Sequence, residues 1–222
     1  MIIDPLYRYE LKFKLDGSLK DIYKKSIKSN APGFKMAYPP RYVNNIYFDK
    51  IGFENYYDNI NGNPNRSKTR IRCYGNFFDD NSSSIEIKEK KGALIKKTIF
   101  DFPLFSIVEV KKDAGVFKNF KHDHNLLKGL KSTVINRYYR EYYISLDNRF
   151  RITIDSYQSY SDPKNIFFPR KIHPFLNVLI IEIKFNPIHY SKLNQLTNTL
   201  GLRIGKNSKY VNSLNALNLH FF

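Results

Sequence analysis

The chain has 222 residues, of which 42% are hydrophobic and 16% aromatic, and 37 Lys+Arg against 20 Asp+Glu give a formal net charge of +17. This length fits one domain, residues 1–222, with a substantial core, and the apolar and aromatic content excludes a disordered chain. Because the charge exceeds what solubility requires, we expect an anionic partner: nucleic acid, an acidic membrane surface, or a phosphate-rich small molecule or polymer.

Cys73 is the only cysteine, which excludes an internal disulfide and a cysteine metal cluster. It indicates a reducing compartment, and we expect a cytoplasmic protein. Met1–Pro5 lacks the basic and apolar regions of a signal peptide, and polar residues interrupt the most apolar segment, Phe175–Phe185. We therefore expect no membrane span, which leaves association with a membrane partner open.

The first half of the chain alternates predicted strands with short helices. Ser18 is the expected N-cap of the first helix, and Ala31-Pro32-Gly33 ends it. The turn residues 61–65 and 79–83 separate later strands and suggest a hairpin. The predicted elements are strand Tyr7–Leu15, helix Ser18–Ser29, strand Tyr42–Phe48, a short helix around Phe53–Tyr57, and strands Lys68–Tyr74, Ser84–Lys90 and Ile95–Phe100.

The second half begins with an expected helical insertion and ends in helices. Gly201 is expected to close the first of the two terminal helices. The predicted elements are the insertion Leu104–Leu130, strands Val134–Ser145, Arg149–Ser156 and Val178–Phe185, and helices His189–Leu200 and Ser208–Leu217. About eight strands with peripheral helices predict an α+β fold, an antiparallel eight-stranded β-barrel.

Five predicted strands place charged side chains on every second residue. Alternate residues of a strand share one face, so each strand has a charged face and an apolar face. Solvated faces of an open sheet would explain any one of them. Their repeated Arg and Lys instead favour one polar lumen that binds an anion. The stretches are Arg8–Lys12, Lys68–Arg72, Ile85–Lys88, Arg149–Thr153 and Ile181–Lys184.

In order and spacing, these motifs resemble the VTC domain, the polyphosphate polymerase module of the vacuolar transporter chaperone complex and a member of the triphosphate tunnel metalloenzymes. The similar segments span nearly the whole chain. They are Arg8–Phe13, Tyr42–Asp49, Lys68–Tyr74, Ile85–Lys88, Tyr139–Glu141, Arg151–Asp155, Ile181–Lys184 and Ser208–Tyr210.

The resemblance implies a tunnel whose basic side chains bind a chain of phosphates and whose glutamate, Glu182, holds a divalent metal, Mn²⁺ or Mg²⁺. Lys96 could take the place of Lys97 after a slip of one residue. Glu10 is assigned to the same phosphate and nucleotide site. The implied phosphate-binding residues are Lys12, Arg70, Arg72, Lys88, Lys97, Arg140, Arg151, Ser208 and Lys209.

The first strand departs from the wider superfamily, whose triphosphatases begin with Glu-x-Glu-x-Lys. Here the stretch is Arg8-x-Glu10-x-Lys12, which argues against a hydrolase with a full set of carboxylates. Glu10 and Glu86 could orient neighbouring cations by ion pairs instead of binding metal. The sequence has neither an SPX-like helical region nor membrane helices.

Other motifs have simpler explanations. His122-x-His124 lacks further metal ligands nearby and indicates a solvated loop. There is no GxxxxGK[ST] phosphate loop, and Ser208 has no evident partners for a nucleophile. The tyrosine pairs 138–139 and 142–143 could stack nucleobases, but such residues more often belong to a core.

The sequence therefore predicts an enzyme that transfers the terminal phosphoryl group of ATP to a growing polyphosphate chain. The alternatives are a tunnel hydrolase of triphosphate or nucleoside triphosphate, and a non-catalytic polyphosphate-binding or nucleic-acid-binding module. We expect ATP and polyphosphate as ligands and no nucleic acid. Phosphoryl transfer mainly needs positioning and charge neutralisation, and Arg and Lys supply both.

Overall fold

A computed structural model of the protein describes residues 7–75, 83–102, 127–165 and 177–219. Eight antiparallel strands form one sheet in the order β1-β8-β7-β6-β2-β3-β4-β5. The strands are β1 (Tyr9–Asp16), β2 (Phe34–Asp49), β3 (Asn65–Tyr74), β4 (Ser83–Lys91), β5 (Leu94–Phe102), β6 (Lys131–Ser145), β7 (Phe150–Ser161) and β8 (Val178–Phe185).

The sheet curves until its two edge strands meet. Arg8 and Ile95 form an antiparallel bridge in which each backbone N–H donates to the other residue's carbonyl at 3.1 Å. This bridge joins the start of β1 to the start of β5, so the strands enclose a lumen. The predicted eight-stranded barrel is confirmed, with a seam that is one bridge and not a continuous ladder.

In the part of the chain that the structure describes, four α-helices accompany the barrel, together with 3₁₀ segments at Gly17–Leu19, Pro163–Asn165 and Pro187–Lys192. They are α1 (Lys20–Lys28), α2 (Glu54–Ile60), α3 (Leu193–Leu200) and α4 (Lys209–Leu217). Asp16, and not Ser18, caps the first turn, because its carboxylate accepts a hydrogen bond from Ser18 N. Gly201 ends α3 in the left-handed conformation at φ 59°, as predicted.

Strand β2 is longer than the sequence predicted. It runs through Pro39-Pro40, where the register with β6 shifts. Proline has no N–H to donate to a ladder, so it is tolerated in a strand at such an irregularity. Most of the predicted insertion Leu104–Leu130, including His122 and His124, lies outside the described residues.

The apolar faces of the strands point outward, and α1 and α3 cover those of β1, β7 and β8. One core cluster joins strand residues such as Phe13, Ile152 and Ile183 to Ile27 of α1 and Leu196 of α3, all fully buried. A second cluster lies outside β3 and β4, around Ile71 and Ile87. The alternate residues of the same strands, which carry the charges, consequently face the lumen.

Candidate functional site

Glu86 is the centre of one group of lumen side chains. It lies opposite Arg70 in the β3–β4 ladder and is 2% exposed. Arg70 donates to Glu86 Oε2 through Nε (2.8 Å) and Nη2 (2.5 Å), and Lys97 Nζ donates to Oε1 at 2.9 Å. Burial opposes the charge, but Arg70, Arg72 and Lys97 hold the pKa of Glu86 well below its usual range. The predicted ion-pair role of Glu86 is thus consistent with its contacts.

Arg72, the third cation of this group, forms its hydrogen bonds with neutral partners. Its Nε donates to Asn45 Oδ1 at 2.9 Å and its Nη2 to the Tyr138 hydroxyl at 3.2 Å, while Nη1 lies 3.6 Å from Glu86. Both guanidinium groups are therefore fixed in position within the lumen. A fixed guanidinium suits bidentate binding of phosphate oxygens.

Asp155 organises a second group. It is completely buried and accepts hydrogen bonds from Arg140 Nε (2.5 Å) and Nη2 (2.7 Å), while Lys209 Nζ lies 2.6 Å from its Oδ2. Burial raises the pKa of Asp155, but Arg140 and Lys209 outweigh that effect and lower it. The contact brings the start of α4 into the lumen, although Lys209 lies far from Arg140 in sequence.

Glu10 and Glu182 form a third group on neighbouring strands. Lys88 Nζ lies 2.5 Å from Glu10 Oε2, and Lys184 Nζ lies 2.6 Å from Glu182 Oε1. Lys12 reaches both carboxylates, at 3.6 Å and 4.0 Å. Burial raises the pKa of both acids, and the charge of Glu182 raises that of Glu10 further, but the surrounding lysines keep both pKa values below normal.

The pKa values of the lumen lysines are shifted in different directions. Burial opposes the charge of Lys12, yet Glu10 and Glu182 raise its pKa above the ordinary value. Burial lowers the pKa of Lys88 to about 7, even though Glu10 opposes the change. For Lys97, burial lowers the pKa to about 8 against the effect of Glu86. The lumen thus holds cations whose charge changes near neutral pH.

The segment before α4 closes part of the lumen. Gly205 bridges to the backbone of Lys12, and Lys12 Nζ donates to the carbonyl of Asn207 at 3.0 Å. Ser208 caps α4 by accepting from Val211 N, and its hydroxyl also accepts from Lys68 Nζ at 2.7 Å. The predicted Ser208 and Lys209 are therefore placed against the strand cations.

Arg151 differs from the other predicted phosphate ligands in its exposure. It lies on the lumen side of β7, opposite Lys184, but it is exposed and forms no ion pair with the described residues. Its phosphate contact stays a prediction. Lys97, and not Lys96, meets Glu86, which supports the chosen alignment of that strand.

Each tyrosine pair has one buried and one partly exposed member. Tyr138 and Tyr143 are 0% and 1% exposed, whereas Tyr139 and Tyr142 are partly exposed. The hydroxyl of Ser208 meets no histidine or carboxylate in the described parts of the chain, so no nucleophile assembly is found there.

Sequence reasoning did not assign three residues of the lumen to the site, Lys68, Asp155 and Lys184. The two-residue period of a strand could have identified each of them, because it places them on the same face as predicted site residues. Lys68 has the same strand parity as Arg70 and Arg72, Asp155 that of Arg151, and Lys184 that of Glu182. Only the cross-strand partners identify their roles.

A divalent metal fits the pair Glu10 and Glu182. Both side chains are almost fully buried, at 1% and 6% exposure, and carboxylate oxygens are the ligands that Mg²⁺ and Mn²⁺ favour. The described residues contain no cluster of three or more His, Cys, Asp or Glu that could hold a metal. Mg²⁺ commonly binds one or two carboxylates and completes its shell with water and substrate phosphates, so two suffice.

An antiparallel barrel whose lumen alternates fixed cations with carboxylates has the architecture of the triphosphate tunnel proteins. A model of the VTC domain matches residues 8–218, and the chain belongs to this family. No curated protein matches the sequence. No helix among the described residues is long and apolar enough to cross a membrane.

Solved structures share this fold at low sequence identity. A putative adenylate cyclase from Vibrio parahaemolyticus matches with a TM-score of 0.56 and 8% identity over 95% of this chain and 98% of its own. A putative adenylyl cyclase from Hippeastrum, described as having a dominant triphosphatase activity, matches with a TM-score of 0.60 and 12% identity over 94% and 95%. The Schizosaccharomyces pombe Mediator head module gives 0.53 and 9% over 89% and 97%.

Proposed function

We propose that this protein is a metal-dependent polyphosphate polymerase that transfers the γ-phosphoryl group of ATP to the end of a polyphosphate chain. The observation that carries the proposal is the excess of cations over carboxylates in one lumen, since Glu10, Glu86, Asp155 and Glu182 already have cationic partners. The lumen cations that exceed these carboxylates in number can bind a polyanionic substrate. Family membership supports the same reaction.

In the proposed reaction, a terminal phosphate oxygen of the acceptor attacks the γ-phosphorus of ATP. The new P–O bond extends the chain by one phosphate, the bond to the β,γ-bridging oxygen breaks, and ADP leaves with that oxygen. The attacking oxygen is already anionic, so no general base is needed. Catalysis then consists of in-line positioning and neutralisation of charge on the transferred group.

Arg70, Arg72 and Arg140 are the proposed ligands of the transferred phosphoryl group. Glu86 and Asp155 hold Arg70 and Arg140, so little side-chain entropy remains to be lost when phosphate binds. Arg140 Nη1 makes no hydrogen bond to the described residues and is available for substrate. Lys209 adds a positive charge on the other side of Asp155.

Glu182, with Glu10 beside it, is the proposed holder of Mn²⁺ or Mg²⁺. When bound, the metal would supply Lewis-acid stabilisation of phosphate oxygens and shield the negative charge of the nucleophile. Lys12, Lys88 and Lys184 neutralise the two carboxylates in the metal-free protein. A cytoplasmic location remains part of this proposal, in keeping with the free thiol of Cys73.

Incubation of the protein with ATP and Mn²⁺ tests the proposal. A ladder of long anions on a polyacrylamide gel, formed together with ADP in equal amount to the phosphate incorporated, is the expected result. Release of orthophosphate without polymer would contradict it. Metal-independent binding of polyphosphate with no turnover would instead indicate a binding module.

Hydrolysis of tripolyphosphate or nucleoside triphosphate is the second candidate. The adjacent carboxylates Glu10 and Glu182 favour it, because a metal there could also activate water. The triphosphatase activity described for the Hippeastrum protein of similar fold points the same way. Arg8, in the first acidic position of the superfamily's triphosphatases, weighs against it.

A further inference from the structure

Unlike Arg70, Arg140 and Lys209, Lys68 has no carboxylate partner among the described residues. Its ammonium group donates to the Ser208 hydroxyl at 2.7 Å and forms no ion pair with the described residues. In the β3–β4 ladder it lies directly opposite Lys88, a like charge. Arg70, two residues further along β3, lies opposite Glu86 instead.

The surroundings of Lys68 are short of negative charge. Burial, followed by the charges of Lys12, Lys88 and Arg66, holds the pKa of Lys68 well below its usual range, although Glu10 opposes this effect. An anion placed among these ammonium groups would remove the repulsion. This position therefore gains more from an added anion than one where a carboxylate is already present.

The cations continue from Lys68 toward the end of the barrel at which α4 begins. Lys90 lies near Arg66, Lys12 and Lys206, and burial together with these like charges lowers its pKa. A row of cations of this kind complements a linear polyanion better than a single phosphate.

The Tyr210 ring beside Lys68 is buried and cannot stack on a nucleobase. The Tyr210 ring lies 5.9 Å from Lys68 Nζ, but Tyr210 is 2% exposed and its hydroxyl donates to Asp49 at 2.6 Å. A stacked arginine–tyrosine pair lies at the other end of β2 and β3, where the guanidinium carbon of Arg41 is 3.9 Å from the Tyr74 ring centroid. The two ends of the lumen thus differ in chemistry.

We propose that Lys68, together with Lys12, Lys88 and Ser208, binds the phosphate chain that carries no nucleoside. On the proposed function, this is the acceptor end of inorganic polyphosphate. The rest of the acceptor chain then runs out of the lumen past Arg66, Lys90 and Lys206. Lys68 is accordingly a specificity residue that distinguishes polyphosphate from nucleotide.

Equilibrium titrations of the full chain with linear inorganic polyphosphate and, separately, with ADP test this assignment. Lys68→Met keeps the aliphatic stem and removes the charge. We expect it to weaken polyphosphate binding about tenfold, which corresponds to one charge-assisted contact, and to change ADP binding less than about twofold. Equal weakening of both ligands, or of neither, would overturn the proposal.

Two further variants complete the design. Lys96→Met is the matched control, because Lys96 lies on the opposite face of its strand from Lys97 and opposite Glu89; it should leave both affinities unchanged. Lys68→Arg should restore polyphosphate binding. Since Lys68 has no carboxylate partner, Lys68→Met should melt at or above the wild-type temperature, and loss of folding would contradict the assignment.

The binding experiment is independent of turnover. If the protein makes no polymer but Lys68→Met selectively loses polyphosphate affinity, the proposed polymerase activity fails and the binding assignment stands. If polymer forms and Lys68→Met leaves the affinity for polyphosphate unchanged, only the assignment of Lys68 fails.

Discussion

Glu182 and Glu10 are two buried carboxylates that share lysine neighbours, but we expect them to contribute differently to metal binding. Lys184 is the closest cation to Glu182, whereas Glu10 is bound by Lys88. If Glu182 is the main metal ligand, Glu182→Gln should weaken Mn²⁺ binding at least tenfold, about the loss seen even for groups around a metal site. Electron paramagnetic resonance of free Mn²⁺ measures this directly.

Glu10→Gln is the matched control for that substitution. If Glu10 mainly holds Lys88 in place, it should affect Mn²⁺ affinity less than Glu182→Gln does. Unchanged Mn²⁺ affinity in Glu182→Gln would exclude Glu182 as a ligand. Equal losses in both variants would indicate a site shared by two carboxylates.

Lys97 gives the site a dependence on pH. Burial lowers its pKa to about 8, so the side chain is charged below that value and becomes neutral above it. Because only the charged form attracts phosphate, tripolyphosphate affinity should fall as the pH rises from 7 to 9.

Titrations at several pH values in the wild-type protein and in Lys97→Met check this expectation. The variant should bind more weakly at pH 7 and lose part of this decline, because Lys88, with a pKa of about 7, also loses charge over this range. The control Lys96→Met should follow the wild type. The same decline in Lys97→Met as in the wild type would assign the pH dependence to another group.

At the scale of elements, Asp49 connects α2 to α4. Its Oδ1 accepts from Asn55 N (3.1 Å), and its Oδ2 accepts from Tyr56 N (3.1 Å) and the Tyr210 hydroxyl (2.6 Å). Asp49 is completely buried at the end of β2. Since Ser208 and Lys209 directly precede Tyr210 in the chain, this bond also helps to position them in the lumen.

Removing these bonds should destabilise the protein in a graded way. Tyr210→Phe removes one hydrogen bond to a charged group and should lower the free energy of unfolding by about 1.5 kcal/mol. Asp49→Asn removes the charge and disturbs several bonds, so we expect about 3 kcal/mol. Urea denaturation measures both.

The half-exposed Tyr57, on the same helix as Tyr56, supplies the control for these variants. Tyr57→Phe should change the free energy of unfolding by less than about 0.5 kcal/mol. If Asp49→Asn were as stable as wild type, α4 would have to be held mainly by its apolar contacts, such as Leu214.

At the scale of the whole molecule, the net charge of +17 and the lumen cations act together on polyanions. Because binding releases counterions, the logarithm of the binding constant falls linearly with the logarithm of the salt concentration. The slope grows with the number of phosphates contacted. We expect a steeper slope for long polyphosphate than for ADP. Titrations between 50 and 500 mM KCl, roughly the range over which screening becomes strong, provide the two slopes. Equal slopes would show that the lumen contacts no more phosphates of the polymer than of the nucleotide.

The barrel itself was largely predictable from local pattern. The alternation in Lys68–Arg72 and Ile181–Lys184 identifies β3 and β8, because the strand period of two places every second side chain on one face. The ends of strands and helices were predicted less accurately, because contacts between residues distant in the chain determine them. Strand β2 extends to Phe34 because β6 pairs with it along most of its length, and Asp16 displaces Ser18 as the cap.

The sequence by itself determined the charged and apolar faces, the excess of cations and the family motifs, since these depend on residues close together in the chain. The tertiary structure decided which carboxylate meets which cation. Lys12 and Asn207 are 195 positions apart, and their contact exists only because the sheet curves and α4 turns into the lumen. The absence of a carboxylate beside Lys68 among the described residues is likewise a property of strand register, which places Lys88 and not Glu86 opposite it.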